Sequence, residues 1–307
     1  MPELPEVQTT VDGIRAHARG AVITDVWTDY KSPFHTGKDN IKDPKFFRLF
    51  RKRVVGSCIC DASRRAKNVL IHLSNGYTII VHMKMTGHFL HGIYEKKKEV
   101  GKEVWVAQNP GPLRDDPFNR HIRLVFSLDT RAHLALSDMR RFAKVTVEKS
   151  AHLHLSDHLS GSGPEPLDES FDYHSFATRL LHYPARAIKQ TLMDHTVIAG
   201  IGNIYSDEIL WHAGVHPLEK VGSISPAKLR LAYTAMKQLL RDGINFGGDS
   251  MSDYRNILGE KGAFQGRHMA YQRVGERCAR KACRGTIARI RVGGRSAHFC
   301  TVHQKKR

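Results

Sequence analysis

Val7, Val11 and Ile14 recur at intervals of four and three, the apolar face of an amphipathic helix. Pro5 suits the first turn of that helix, where a missing N–H costs nothing, and Glu6 suits the positive end of its dipole. Beyond it the first half of the chain reads as strands. Residues 69–73 and 77–83 flank Asn75-Gly76, a strong hairpin signal, and residues 121–128 and 133–136 are joined by Asp129-Thr130-Arg131. Between 92 and 120 a polar stretch, first Lys-rich and then Pro/Gly-rich, predicts an expanded surface loop. Ser160-Gly161-Ser162-Gly163-Pro164-Glu165-Pro166 has linker composition, and past it the period turns helical at 187–193, 204–213 and 226–242. Gly247-Gly248 then leads into a basic tail. The pattern predicts an α+β multidomain chain without internal repeats: an all-β N-terminal domain, a hinge, a helical domain and a small C-terminal appendage.

The length, 307 residues, suffices for two domains with their own cores. No apolar run approaches the ~20 residues that span a bilayer. The chain starts on Pro and Glu after Met1 rather than on a basic and then apolar leader, which predicts a soluble, cytoplasmic protein. Charge narrows the class further. Lys and Arg number 48 against 30 Asp and Glu, a formal net charge of +18, and residues 267–307 hold twelve of the cations with Glu276 as their only acid. Such a surplus favours a polyanionic partner, because neutralised phosphates release condensed counterions. A nucleic acid is the expected partner.

The cysteines divide by context. Cys58 and Cys60 lie two apart in an apolar stretch, the spacing of one strand face. In the tail, Cys278 and Cys283 are separated by four residues, and Cys300 and His303 by two. Two short-spaced pairs offer zinc its four tetrahedral Cys/His ligands, with His298 as the alternative to His303. Between the pairs, Ile287–Val292 and residues 296–299 around Gly293-Gly294 predict a hairpin that displays Arg295 beside its turn. So small a segment has too little apolar area to fold alone, and metal binding worth roughly 10–16 kcal/mol would make up the deficit.

At the other end, removal of Met1 would expose a secondary amine on Pro2. An α-amino group titrates near neutrality, so a nucleophilic fraction is available at physiological pH. Its attack on a sugar C1′ gives an iminium, an electron sink that makes the neighbouring proton acidic. Glu3 and Glu6 are three apart and could face the same site.

Taken together, three motifs resemble the formamidopyrimidine-DNA glycosylase family. They are Pro2-Glu3-Leu4-Pro5-Glu6-Val7, Gly200-Ile201-Gly202-Asn203-Ile204-Tyr205-Ser206-Asp207-Glu208, and the terminal Cys/His hairpin. The resemblance runs along nearly the whole chain, including Gly163-Pro164-Glu165-Pro166-Leu167. It implies an N-terminal β-sandwich with an N-terminal helix at 2–159, a hinge at 160–168, a helix-two-turn-helix domain with a lesion loop at 169–266, and a zinc-finger hairpin at 267–307. The implied activity is bifunctional: excision of oxidised purines (8-oxoguanine and formamidopyrimidines), then strand cleavage by β,δ-elimination. The implied enzyme acts as a monomer on damaged double-stranded DNA and carries one structural zinc.

The resemblance also implies roles. Pro2 is the Schiff-base nucleophile, Glu3 the acid that protonates the sugar ring oxygen, Glu6 a supporting carboxylate and Lys67 a catalytic lysine. Family members flip the damaged base out of the duplex, and Met85, Arg140 and Phe142 match the side chains that fill the gap. By spacing alone Lys67 is a solvated charge, and Met85 and Phe142 read as core. Asn203 matches a phosphate contact, with Arg186 and Lys189 adding others, and Arg295 matches a hairpin arginine at the lesion phosphates. Residues 249–254, with Tyr254 as a DNA contact, match a mobile loop over the flipped base.

This sequence departs from the family pattern in places. The first zinc pair has a longer spacer than usual, His303 stands where a cysteine is usual, Lys84 adds charge beside Met85, and Met139 replaces a proline before Arg140. A DNA-contacting histidine near the end of 92–120 is replaced by Asn119, Arg120 or His121. Two alternatives follow: an endonuclease VIII-type enzyme for oxidised pyrimidines, and a non-catalytic lesion-binding zinc protein. Leu4 disfavours the first, where glycine is usual; Pro2, Glu3 and Lys67 disfavour the second.

Overall fold

Helix α1 (Leu4–Ala18) forms where the apolar spacing predicts it, and Val7, Val11 and Ile14 are fully buried. Glu3 is its N-cap and completes a capping box with Glu6, which ties down N–H groups that the first turn leaves unpaired. The computed structural model describes residues 1–99 and 101–306. They divide into two compact units, Met1–Ser160 with Phe246–Ala263, and Gly161–Asn245 with Phe264–Arg307.

In the first unit β1 (Ile23–Thr28) is followed by a helix where the sequence predicts only strands. This is α2 (Pro44–Val54), capped by Asp43, whose carboxylate accepts the Lys45 N–H at 3.0 Å. Pro44 takes the first helical position, and Phe46, Phe50 and Val54 line its buried face. There follow β2 (Ile59–Arg65), β3 (Asn68–Leu73), β4 (Tyr77–His82) and β5 (His88–Gly92). After an excursion at 93–121 come β8 (Ile122–Leu128), β9 (His133–Ser137) and β10 (Lys144–Lys149). Two antiparallel four-stranded sheets result, ordered β1-β8-β9-β5 and β10-β4-β3-β2. Their inner faces share one core: Val69, Ile71, Ile79 and Val145 from one, Phe89, Leu124, Phe126 and Leu136 from the other, with α1 and α2 joining it. That is the expected β-sandwich.

Residues 92–120 correct the sequence expectation of a loop. They form the hairpin β6 (Tyr94–Glu99) and β7 (Lys102–Ala107), the short helix α3 (Pro112–Asp115) and a 3-10 turn at Pro117–Arg120. Tyr94, Trp105 and Ala107 pack on Leu90, Val125 and Ala135, covering the outer face of the β1-β8-β9-β5 sheet. The first strand offers only Tyr94, the second runs Val104-Trp105-Val106-Ala107 without alternation, and their apolar partners lie outside the hairpin. No local period announces it.

The second unit holds α4 (Tyr173–Leu181), α5 (Ile188–Leu192), α6 (Asn203–Ala213) and α7 (Pro226–Asn245). Helix α4 starts at Asp172, which accepts the Ser175 N–H at 2.8 Å, and α6 ends on Gly214 at φ +62, as a left-handed C-cap requires. The antiparallel hairpin β11 (Ile287–Val292) and β12 (Arg295–Cys300) completes it. Trp211 of α6 shares a small core with Ala270, Cys278, Ile287 and Cys300. The residues 246–263 belong to the same compact unit as the sandwich. Among the described residues no helix is long and apolar enough to cross a membrane.

Candidate active site and nucleic-acid interface

Pro2 is buried at the start of α1, next to two buried carboxylates. Glu6 Oε2 accepts the Glu3 N–H at 2.7 Å, and Oε1 accepts the Asp249 N–H at 2.8 Å. Burial pushes Glu6 up to about 7, and the Glu3 carboxylate adds to the rise while the two backbone N–H groups oppose it. Glu6 therefore titrates near neutrality. The residues 246–263 close over this point, with Tyr254 donating its hydroxyl to the Glu6 carbonyl at 3.1 Å. Tyr254, expected as a DNA contact, is only 4% exposed here, and its hydroxyl holds the segment on α1.

Lys67 sits in the two-residue turn between β2 and β3, after Ala66 at φ +53. It belongs to a positive patch centred on His82. Burial first, and then Lys84, Lys67 and Lys144, push His82 down to about 3, so the ring is neutral and its Nδ1 accepts the Lys84 N–H at 3.0 Å. Three lysines around a neutral imidazole suit an anionic ligand such as a phosphate backbone. Lys144 had no signal in the sequence, because it joins the patch only through the β10–β4 pairing.

The side chains expected to fill the vacated stack are held from behind by Asp138, which is fully buried. Its carboxylate accepts the Tyr30 hydroxyl at 2.7 Å, the Thr86 hydroxyl, and the Ala143 N–H at 2.9 Å. Thr86 Oγ1 in turn accepts the Arg140 N–H at 3.0 Å, which fastens the turn after β9 to the segment carrying half-buried Met85. The Arg140 guanidinium lies 4.8 Å over the Phe142 ring, and Phe142 is 49% exposed. An aromatic ring held so far into solvent is available as an intercalating wedge. His121 is half-buried, and burial lowers its pKa. Asn119 is buried and bonded to His88, Pro112 and Gly259, so it does not stand in for a DNA-contacting histidine.

In the second unit Asn203 opens α6 after Gly200 (φ +84) and Gly202. Among the described residues its buried Oδ1 has no hydrogen-bond partner, and the helix N-terminus offers N–H donors beside it. Lys189, expected as a phosphate contact, is fully buried, with Nζ on the Asp207 carboxylate and 3.5 Å from the Asn203 carbonyl, so it braces the α6 N-terminus. Arg186 is partly exposed and paired with Asp194 at 2.7 Å. Arg295 is exposed at the start of β12, beside the Gly293-Gly294 turn.

The Asp207 Oδ2 also accepts the His298 backbone N–H at 2.9 Å and bonds its Nδ1 at 2.8 Å. His303, not His298, joins the three cysteines in the ligand cluster. The ligand atoms of Cys278, Cys283, Cys300 and His303 all lie within 4.8 Å of one another. The Cys283 and Cys300 sulfurs are 3.5 Å apart. Zn–S bonds of about 2.3 Å in a tetrahedron need sulfurs roughly 3.8 Å apart, so the donor set fits one structural zinc. His303 turns Nδ1 to Cys278 Sγ at 3.4 Å and donates from Nε2 to the Trp211 carbonyl at 3.0 Å, the outer bond that fixes the ligating tautomer.

Family models match in the same order as these parts. The formamidopyrimidine-DNA glycosylase N-terminal domain matches residues 1–145, the formamidopyrimidine-DNA glycosylase H2TH domain 162–255, and the zinc finger found in FPG and IleRS 275–302. The formamidopyrimidine-DNA glycosylase of Herpetosiphon aurantiacus is 36% identical over 305 residues, which cover 99% of this chain and 100% of that protein. The chain belongs to the formamidopyrimidine-DNA glycosylase family. Its namesake from Ruegeria pomeroyi is 33% identical over 307 residues, 99% of this chain and 100% of that one. Among solved structures, Lactococcus lactis Fpg in complex with DNA containing an abasic site is similar with a TM-score of 0.82 and 27% identity, over 99% of this chain and 100% of that one. A variant of the same protein bound to Fapy-dG containing DNA gives 0.82 and 28% over the same shares.

Within this family member the α1 N-terminus gathers Pro2, Glu3 and Glu6, while the Asp138 hub gathers Met85, Arg140 and Phe142. Lys67 shares a lysine patch with Lys84 and Lys144, and Asn203 and Arg295 belong to the second unit. Asp138, Lys144 and Asp249 support these groups without having been candidates. Asp138 alone had a legible signal, as an Asp heading the turn that carries Arg140 and Phe142.

Proposed function

We propose that this chain is a DNA glycosylase for oxidised purines, 8-oxoguanine and formamidopyrimidines, and that it also cleaves the strand at the resulting abasic site through a Schiff base on Pro2. The observation that carries this reading is the buried Glu3–Glu6 pair at the start of α1, with Pro2 beside it and Asp249 bonded across it. Met1 is 38% exposed, open to the processing that frees the Pro2 amine. The amine lone pair then attacks C1′ as the C1′–base bond breaks, and Glu3 gives its proton to the ring oxygen as the sugar opens. The iminium so formed acidifies the C2′ proton, and its loss expels the 3′ phosphate. A second elimination expels the 5′ phosphate, and water releases the sugar fragment from Pro2.

Other residues position the strand. Lys67 and its neighbours carry charge for the phosphates or the leaving base, Met85, Arg140 and Phe142 fill the vacated stack, and Asn203, Arg186 and Arg295 bind backbone. In this reading the protein works as a monomer in the cytoplasm. An oxidised pyrimidine is a second substrate class, since Lactococcus lactis Fpg has been crystallised with oxidized pyrimidine containing DNA.

Borohydride trapping tests the reading. Duplexes carrying 8-oxoguanine opposite cytosine are expected to give a covalent complex, Pro2→Gly to lose most of it, and the intact mass of active protein to lack Met1. No complex on either purine or pyrimidine lesions would refute the enzyme.

A further inference from the structure

We infer that Asp116, Arg255 and Asn119 form a clamp that fixes the resting position of residues 246–263 over the α1 N-terminus, and that this clamp sets how efficiently a damaged base is excised. The inference rests on the glycosylase reading above and names positioning residues for it. Residues 246–263 form a loop closed at its base, with the Ala263 N–H on the Phe246 carbonyl at 2.8 Å and the Gly262 N–H on Ser250 Oγ at 2.9 Å. One side rests on α1. Asp249 and Tyr254 bond Glu6, and Ile257 fills the space a side chain at Gly13 would need, since a Cβ there would lie 2.6 Å from Ile257 Cγ2.

The other side is held by residues 111–120, which follow the β6–β7 hairpin. Arg255 is 2% exposed. Its Nε donates to Asp116 Oδ2 at 2.7 Å, its Nη1 donates to the Ser252 and Tyr254 carbonyls at 3.0 and 2.8 Å, and its guanidinium lies 4.8 Å over the Phe118 ring. One arginine thus grips the loop's own backbone and anchors it outside the loop. Asn119 Nδ2 donates to the Gly259 carbonyl at 3.0 Å and to the Pro112 carbonyl at 2.8 Å, while its Oδ1 meets His88 Nε2 at 2.9 Å. Gly259 adopts φ +82, and a Cβ there would sit 2.9 Å from the Leu113 N, so the two backbones meet as closely as glycine allows.

A buried guanidinium is costly to leave unpaired, so its bonds to a partly buried carboxylate and two carbonyls favour one register where apolar packing would tolerate several. Met251 and Ser252 at the tip are exposed, as are Leu258, Glu260 and Lys261 on the far side of Arg255. The clamp therefore holds the loop on the side opposite α1 and keeps the Asp249 N–H on Glu6. In the glycosylase reading a base presented to Pro2 would lie beside the loop that Asp249 and Tyr254 hold on Glu6, whereas an abasic sugar brings no base there. Loosening the clamp should separate the two steps.

The test compares wild type with Asp116→Asn, Arg255→Lys and Asn119→Ala on two substrates, 8-oxoguanine duplex and preformed abasic duplex. A misplaced loop is expected to lower single-turnover excision by about tenfold to a hundredfold. Abasic cleavage should stay within about twofold, a split that mere loss of folded protein cannot give. Arg255→Lys, which keeps the charge, should fall between wild type and Asp116→Asn. Equal losses on both substrates, or none on either, would overturn the clamp. Hydrogen exchange supplies a readout independent of activity: amides at 246–262 should exchange faster in Asp116→Asn than in wild type, with the sheet amides unchanged. Wild type inactive on both substrates refutes the glycosylase reading, and the exchange comparison then decides the clamp by itself.

Discussion

At Glu6 a carboxylate receives two backbone N–H groups in a place where burial favours its neutral form. Its value of about 7 lies above the 4.5 ordinary for glutamate, so the folded state holds this proton more tightly than the unfolded chain does. The stabilisation is complete below the unfolded value and is lost as pH rises through the folded one, a change on the order of a few kcal/mol. Glu6→Gln cannot titrate, and its amide nitrogen would face one backbone N–H, costing about 1–3 kcal/mol at low pH. The wild type's advantage in melting temperature over Glu6→Gln should therefore shrink between about pH 5 and about pH 8. Parallel curves would mean that Glu6 does not titrate there. Glu3 and Glu6 were legible because a spacing of three puts both on the first turn of one helix. Lys189 and Tyr254 were not, because what buries them, Asp207 and the α1 N-terminus, is brought in only by the tertiary fold.

Elements were legible when their signal was local. Helix α1 announces itself by its apolar period, and the β3–β4 and β11–β12 hairpins by their Asn-Gly and Gly-Gly turns. Helix α2 had a signal of its own in Asp43-Pro44 and in Phe46, Phe50 and Val54, obscured by the basic residues between them. The β6–β7 hairpin had none, since its apolar partners belong to the sheet it covers. The β11–β12 hairpin is legible yet weak. Two strands alone are marginal in water, and its core with α6 is small. Zinc must supply the remainder. Chelation, or Cys283→Ser, is expected to remove the bound metal and abolish amide protection along β11 and β12. Protection should persist in the β1-β8-β9-β5 sheet, which belongs to the other compact unit. Undiminished zinc content in Cys283→Ser would refute the ligand assignment.

Across the whole molecule the dominant quantity is charge, +18 over 307 residues, with twelve cations in 267–307. A composition of this kind is legible from the first reading, but it says nothing about which cations meet phosphates. The structure sorts them. Lys189 lies in a fully buried pair, whereas Arg186, in a partly exposed pair, and Arg295, exposed at a turn, both reach solvent. Each phosphate neutralised adds roughly 0.9 to the slope of log affinity against log salt, so about six contacts would weaken binding roughly a thousandfold between about 50 and 200 mM. Arg295→Ala should lower that slope by about one, because it removes a charge that displaces a counterion. Asn203→Ala should weaken binding to every sequence while leaving the slope unchanged, because an amide and a helix N-terminus bind a phosphate without releasing an ion of their own. Filter binding or anisotropy across a salt series separates the two residues. An unchanged slope in Arg295→Ala would place that arginine off the DNA, whatever its effect on affinity at one salt concentration.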